Sequence, residues 1–408
     1  MQKYDYLIIG GGVAGTVAAE TIRHHDANGS IAIISDEPYP FYSRIMLSKS
    51  NFFLGKVPFG SIFRHDHDWY IKNTIDLKNG VRATKLNADT KTITLNSNES
   101  LTYTKLLLAI GGCARTLGLP NENINGVYCV RTLDDAKNII SSMKTAKNAV
   151  VVGAGFIGFE MCDILKLAGF DVTLIIREPF FWGHLLNPKA GAIIEKAITE
   201  KGVAIIKEDE IASIEGAEKL TGITTKKHIR LDTDLLTIGV GAVCPIDILH
   251  KHGTIKTGNG IIVNEYLETN VPDVWAAGDC AEYFDTILDE YIQMGNWANA
   301  QLQGKVAGLN MTGAKTTFSA VTNYTCSGFG LSIAFVGDVK SGEGKKLIER
   351  MPNDTHSYGH FILKNNRIIG AALINRTAEL PAITALIKNK IDISHKKETL
   401  VSGDITMI

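Results

Sequence analysis

Two glycine clusters in this chain share one spacing: Gly10, Gly12 and Gly15 in Gly10-Gly11-Gly12-Val13-Ala14-Gly15, and Gly153, Gly155 and Gly158 in Gly153-Ala154-Gly155-Phe156-Ile157-Gly158. Such a run acts through the side chains it omits. The first glycine permits a tight turn, the second lets backbone approach a pyrophosphate, and the third lets helix and strand pack closely. A helix that begins there offers N–H groups and the positive end of its dipole to phosphates. Each cluster therefore predicts a dinucleotide site.

The elements needed to position the first cluster are all present. Tyr6-Leu7-Ile8-Ile9 reads as a buried strand and is followed by a helical stretch through Ala18, Ala19 and Ile22. A second strand, Ile31-Ala32-Ile33-Ile34, ends at Ser35-Asp36-Glu37. The acids fall about 20 residues beyond the last glycine, where an adenosine ribose needs an acceptor. Asp36 is the expected ribose ligand, with Glu37 beside it. The second cluster repeats this order, from Ala149-Val150-Val151-Val152 through the glycines and a helix to Val172-Thr173-Leu174-Ile175-Ile176. Two further apolar strands end in glycines: Leu106-Leu107-Leu108 before Ala109-Ile110-Gly111-Gly112, and Leu235-Leu236-Thr237-Ile238 before Gly239-Val240-Gly241. Late in the chain, Val274-Trp275-Ala276-Ala277-Gly278-Asp279 delivers one carboxylate at a strand end, suited to a polyol hydroxyl. Beyond about residue 315 the pattern changes to short strands and one amphipathic helix near 378–388, an α+β module.

These features together resemble the flavoproteins that carry two dinucleotide-binding domains. The resemblance covers essentially the whole chain and implies a glutathione-reductase-like α/β fold: two Rossmann-like domains plus a small α+β C-terminal domain. The expected boundaries are 1–115 with 246–315 for FAD, 116–245 for NADH or NADPH, and 316–408 for the last domain. By this likeness Gly10, Gly12, Val13, Ala14, Gly15, Asp36, Glu37, Ala83, Ala109, Ile110, Gly111, Gly278 and Asp279 serve FAD, Asp279 through the ribityl chain. Gly153, Gly155, Phe156, Ile157, Gly158 and Gly241 line the nucleotide's site.

Within that family, disulfide reductases carry a Cys-x-x-x-x-Cys after the first unit, and coenzyme A-disulfide reductases and peroxide- or oxygen-reducing relatives carry one cysteine there. Here the segment is Tyr39-Pro40-Phe41-Tyr42-Ser43-Arg44-Ile45-Met46-Leu47-Ser48-Lys49, without a thiol. It resembles the Pro-Tyr-x-Arg-x-x-Leu-Ser-Lys pattern of ferredoxin reductases, rubredoxin reductases and the flavin portion of nitrite reductases. The likeness implies that Arg44 neutralises the FAD pyrophosphate, that Lys49 lies beside flavin N5 paired with Glu160, and that Arg115 contacts FAD. Trp297, in Asn296-Trp297-Ala298-Asn299, matches the start of a helix that caps the flavin; an ordinary core tryptophan is the other reading. The function implied is hydride transfer from NADH or NADPH to FAD, then electron delivery to a small protein such as rubredoxin or ferredoxin. Alternatives are an NAD(P)H oxidase, a quinone or disulfide reductase, a redox-switched binding flavoprotein like apoptosis-inducing factor, or a subunit of a larger complex.

One departure concerns the nucleotide. The second unit's strand runs into Ile176-Arg177-Glu178. Ile176 stands where NADH users carry an acid, Arg177 where NADPH users place a phosphate ligand, and Glu178 serves if the turn is one residue longer.

Composition narrows the remaining classes. With 42 Lys and Arg against 43 Asp and Glu, the formal net charge is −1, so no whole-molecule field favours nucleic acid or an anionic membrane. No apolar run approaches the roughly 18 residues that span a bilayer, and the N-terminus lacks a signal-peptide pattern. None of the six cysteines form a Cys-x-x-Cys or Cys-x-x-x-x-Cys pair, so no metal cluster or redox dithiol is expected. A cytoplasmic protein, open to homodimer formation, is the expectation.

Overall fold

The structure is a computed structural model that describes residues 1–246, 249, 254–350, 356–402 and 405. It divides into two compact units. The first comprises Met1–Ser43, Gly60–Cys113 and Val243–Thr322; the second comprises Arg44–Phe59, Ala114–Ala242 and Asn323–Ile408.

In the first unit a sheet runs Ile75–Lys78, Ile31–Ile34, Gln2–Ile9, Ser100–Leu108, then Thr92–Leu95 and Ala83–Asn87. Its first four strands are parallel, and the last two form an antiparallel extension. Ser100–Leu108 is long enough to serve two neighbours. Its first half pairs Thr92–Leu95, and its second half pairs Val274–Ala276 in parallel. That last pairing carries the chain back into this unit just before Gly278 and Asp279. Leu7, Ile8, Ile31, Ile33, Leu106 and Leu107 are fully buried, as expected for parallel strands covered on both faces. The helices Val13–His25 and Trp297–Met311 pack together. Their contact is close because Gly304 lies against Ala14: a Cβ on Gly304 would stand 2.3 Å from the Ala14 carbonyl oxygen.

The second unit holds a fully parallel five-stranded sheet in the order Val203–Lys207, Asp171–Ile176, Asn148–Val152, Leu235–Ile238, Val127–Cys129. The helix Leu133–Ser142 enters it through a reciprocal Thr132 and Asp135 capping box. The C-terminal residues form an antiparallel sheet in the order Asn323–Gly328, Leu331–Gly337, Arg367–Ile374, Tyr358–Lys364, Lys346–Arg350, against which the helix Leu380–Lys388 packs. This is the α+β module expected from the change of pattern.

One grouping was absent from the expected boundaries. Arg44–Phe59 belongs with the second unit, although sequence placed it inside the first domain. Side chains explain it: Arg44 Nη1 donates to the Arg131 carbonyl at 2.6 Å, and Lys49 bonds to Glu160.

Candidate functional site

The two glycine turns are built alike. Gly10 N donates to Ile34 O at 2.8 Å, and Gly153 N donates to Ile175 O at 3.0 Å. Both leading glycines have positive φ, +116° and +109°, and both face a carbonyl. An added Cβ would lie 2.1 Å from Ala109 O at Gly10 and 2.4 Å from Gly239 O at Gly153. The third glycines close the turns, since a Cβ on Gly15 or Gly158 would meet the Gly10 or Gly153 carbonyl oxygen at 2.0 or 1.9 Å. These four positions are reserved by protein against protein.

The middle glycines differ. Gly12 and Gly155 are the N-caps of the helices Val13–His25 and Phe156–Leu167, and neither helix has a side-chain cap bond. A Cβ on Gly12 would meet nothing within 4 Å, and one on Gly155 only Gly239 O at 3.7 Å. Each helix thus begins with uncapped N–H groups facing open space, the arrangement a pyrophosphate fits.

Around the first turn, Ala14 lies against Gly278 (φ +87°), whose added Cβ would stand 3.1 Å from the Ala14 Cβ. Gly278 N donates to Gln303 Oε1 at 2.7 Å, and the Asp279 carbonyl accepts from Gln293 Nε2 at 2.9 Å. The structure therefore brings Gly10, Gly12, Val13, Ala14, Gly15, Ala109, Gly278 and Asp279 together, and Ile110 joins the same core. Glu37 accepts from the Tyr42 hydroxyl at 2.6 Å, and Asp36, more exposed, pairs with Arg82 at 3.1 Å. Ala83 begins an extension strand, paired with Leu95. Gly111 has φ +67°. Trp297 follows the N-cap Asn296 and stacks on Phe41, with ring centroids 5.6 Å apart and planes 9° from parallel.

In the second unit Lys49 Nζ pairs with Glu160 Oε1, on the helix that starts at Gly155. The Glu160 side chain is 7% exposed and that of Lys49 35%. A carboxylate so nearly buried needs its cation. Arg115 N donates to Gly241 O at 2.9 Å, joining two expected site residues through backbone. Arg177 Nε donates to Glu178 Oε1 at 2.9 Å.

Cys326 was missed by sequence reasoning. It lies on the strand Asn323–Gly328, where burial and then the Glu160 charge push its thiol up to about 12, while Lys49 pulls the other way. Asp163 explains how it arrives there: its carboxylate accepts from Phe329 N at 2.9 Å and ties the strand's end to the Glu160 helix. Phe41, Gln303 and Arg131 were likewise unmarked. No spacing rule could have found them, because each reaches its partner across long stretches of chain.

Comparison with known proteins agrees with this geometry. Residues 4–304 match the pyridine nucleotide-disulphide oxidoreductase family, and residues 326–391 match the rubredoxin NAD+ reductase C-terminal domain. The chain is 29% identical over 397 residues to the NAD(P)H nitrite reductase of Bacillus subtilis, covering 97% of this chain and 48% of that protein. It therefore spans about half the length of that relative. It is 28% identical over 390 residues to the 5,5'-dehydrodivanillate O-demethylase ferredoxin reductase subunit of a Sphingobium species, covering 95% and 94%. The fold superposes on a ferredoxin reductase from Rhodopseudomonas palustris with a TM-score of 0.90 at 24% identity, covering 99% of both chains. With the greater part of its length matched and both glycine turns built alike, the chain belongs to the pyridine nucleotide-disulphide oxidoreductase family.

Proposed function

We propose that the chain is an FAD-dependent NAD(P)H oxidoreductase that supplies electrons to a small redox protein of the ferredoxin or rubredoxin class. The Lys49–Glu160 ion pair carries this reading, because it joins the Arg44–Phe59 segment to the helix that leaves the second glycine turn.

FAD, when bound, accepts a hydride and releases electrons singly; that chemistry belongs to the cofactor. The chain supplies placement. The uncapped N–H groups after Gly12 would hold the FAD pyrophosphate, and Asp36 or Glu37 its adenosine ribose. Asp279 would hold the ribityl chain, with Ala83, Ala109, Ile110, Gly111, Arg44 and Arg115 completing the flavin's contacts. The turn at Gly153, Gly155 and Gly158, with Phe156, Ile157 and Gly241, would hold NADH or NADPH. Glu160 and Lys49 fix each other's side chains, and this rigidity would orient the nicotinamide ring. Trp297, held flat on Phe41, would shield the ring system from water. Ser43 stands in place of a redox cysteine, so no dithiol relay is built into this segment.

The match of residues 326–391 to a rubredoxin reductase domain and the 28% identity to a ferredoxin reductase subunit support a protein acceptor. A second reading makes the chain the electron-entry part of a larger assembly, favoured by its spanning 48% of the Bacillus nitrite reductase. Among the described residues no helix is long and apolar enough to cross a membrane. A cytoplasmic setting suits six cysteines that form no disulfide with one another.

Anaerobic stopped-flow tests the central claim. A pyridine nucleotide should bleach the flavin without a thiolate charge-transfer band, and purified rubredoxins and ferredoxins should reoxidise it faster than oxygen or quinones do. A flavin that neither NADH nor NADPH reduces would defeat the proposal.

A further inference from the structure

We infer that the nucleotide is NADPH, with Arg177 holding its 2′-phosphate. The inference rests on the reading that the second glycine turn binds the hydride donor.

The internal repeat supplies the register. Ile34 pairs with Ile9 and Ile175 with Val152, each one residue before a glycine turn. Ile176 therefore occupies the place of Ser35, Arg177 that of Asp36, and Glu178 that of Glu37. The first unit offers an acid where the second offers a cation. A ribose 2′-hydroxyl is recognised by a carboxylate at this turn, a 2′-phosphate by an arginine.

Neither neighbour takes over the carboxylate's part. Ile176 is 1% exposed and has no acceptor in its side chain. Glu178 has its carboxylate on Arg177 and its side chain only 19% exposed, with its Cβ near Gly183. The Arg177 side chain is 74% exposed. Among the described residues only its Nε–H makes a hydrogen bond, so the Nη groups remain for a ligand.

The surroundings favour an anion. His184 lies within electrostatic reach of Glu178, Arg177 and Lys340; burial holds it below its ordinary value, against Glu178 and with smaller help from Arg177 and Lys340. Glu210, the other acid that acts on Arg177, is already paired with Lys226. Both acids that act on Arg177 are thus engaged, Glu178 by the Arg177 Nε–H and Glu210 by Lys226. A phosphate dianion gains from the open Nη groups through charge-assisted bonds, and a neutral hydroxyl does not.

The test uses the flavin-loaded full chain and two readouts. In calorimetry, adenosine 2′,5′-bisphosphate should bind at least roughly tenfold more tightly than adenosine 5′-monophosphate, and Arg177→Ala should erase the difference. In steady state, kcat/KM should favour NADPH over NADH, and the ratio should fall at least roughly tenfold in Arg177→Ala. Equal binding of the two adenylates, or a preference for NADH, would overturn the inference while leaving the donor reading intact. A turn that binds neither adenylate, in a protein whose flavin neither nucleotide reduces, would instead remove the donor reading itself.

Discussion

Glu160 meets Lys49 across 111 residues of chain, and the carboxylate is the more deeply buried partner. The asymmetry predicts how the pair fails. Lys49→Ala strands a buried carboxylate and should cost about 1–3 kcal/mol in denaturant unfolding. Adding Glu160→Gln removes the stranded charge, so the double variant should recover part of that loss. Both variants should slow flavin reduction by about 10- to 100-fold, because the pair no longer fixes the donor's approach. A Lys49→Ala protein as stable and as fast as wild type would contradict this account.

The glycines separate into two classes by what an added methyl would meet. Gly15→Ala would place a Cβ 2.0 Å from the Gly10 carbonyl and should cost about 3 kcal/mol in folding. Gly12→Ala has open space and a φ of −76°, which alanine tolerates. It should keep its melting temperature as apoprotein yet retain less flavin after dialysis. Gly155→Ala should likewise raise the KM for the nucleotide without loss of fold. Thermal melts and flavin absorbance after dialysis check both; equal behaviour of Gly12→Ala and Gly15→Ala would argue against the assigned roles.

Stability should depend on pH through His360. Burial holds this fully buried imidazole down to about 4, against an ordinary value of 6.5. Between those values the unfolded chain binds a proton that the folded chain refuses, so stability rises with pH there. The contribution is complete above about 6.5 and is lost as pH falls toward about 4. Urea unfolding of wild type should weaken by up to about 1.4 kcal/mol per pH unit more steeply than that of His360→Gln across this window. Parallel slopes would show that His360 titrates normally.

The reduced cysteines should react unequally. Cys113 is exposed, whereas Cys326 is buried with its thiol pushed up to about 12. At pH 8 roughly one Cys326 in ten thousand is thiolate, the form that is alkylated. Iodoacetamide followed by peptide mass spectrometry should label Cys113 and spare Cys326 in the native protein, and label both after unfolding. Native labelling of Cys326 at the rate of Cys113 would show the strand Asn323–Gly328 to be open.

The glycine turns were legible because their constraints are local. A β-α-β unit with Gly10, Gly12 and Gly15, or with Gly153, Gly155 and Gly158, is dictated by short-range sterics and by the change of hydrophobic period from strand to helix. The same holds for the parallel strands, whose unbroken apolar runs mark burial on both faces. Lys49 and Glu160 could be named from sequence only through resemblance, since neither carries a local mark of the other.

Sequence alone thus determined the paired turns, the strands that aim them and the missing thiol at Ser43, all through interactions among near neighbours. Only the folded chain decided that Arg44–Phe59 joins the second unit, that Trp297 lies flat on Phe41, that Cys326 falls within reach of the Glu160 charge, and that Arg177 and Lys340 both act on His184. Those contacts arise when distant strands and helices pack, and packing selects on shape and charge in space, which leave no period in the chain.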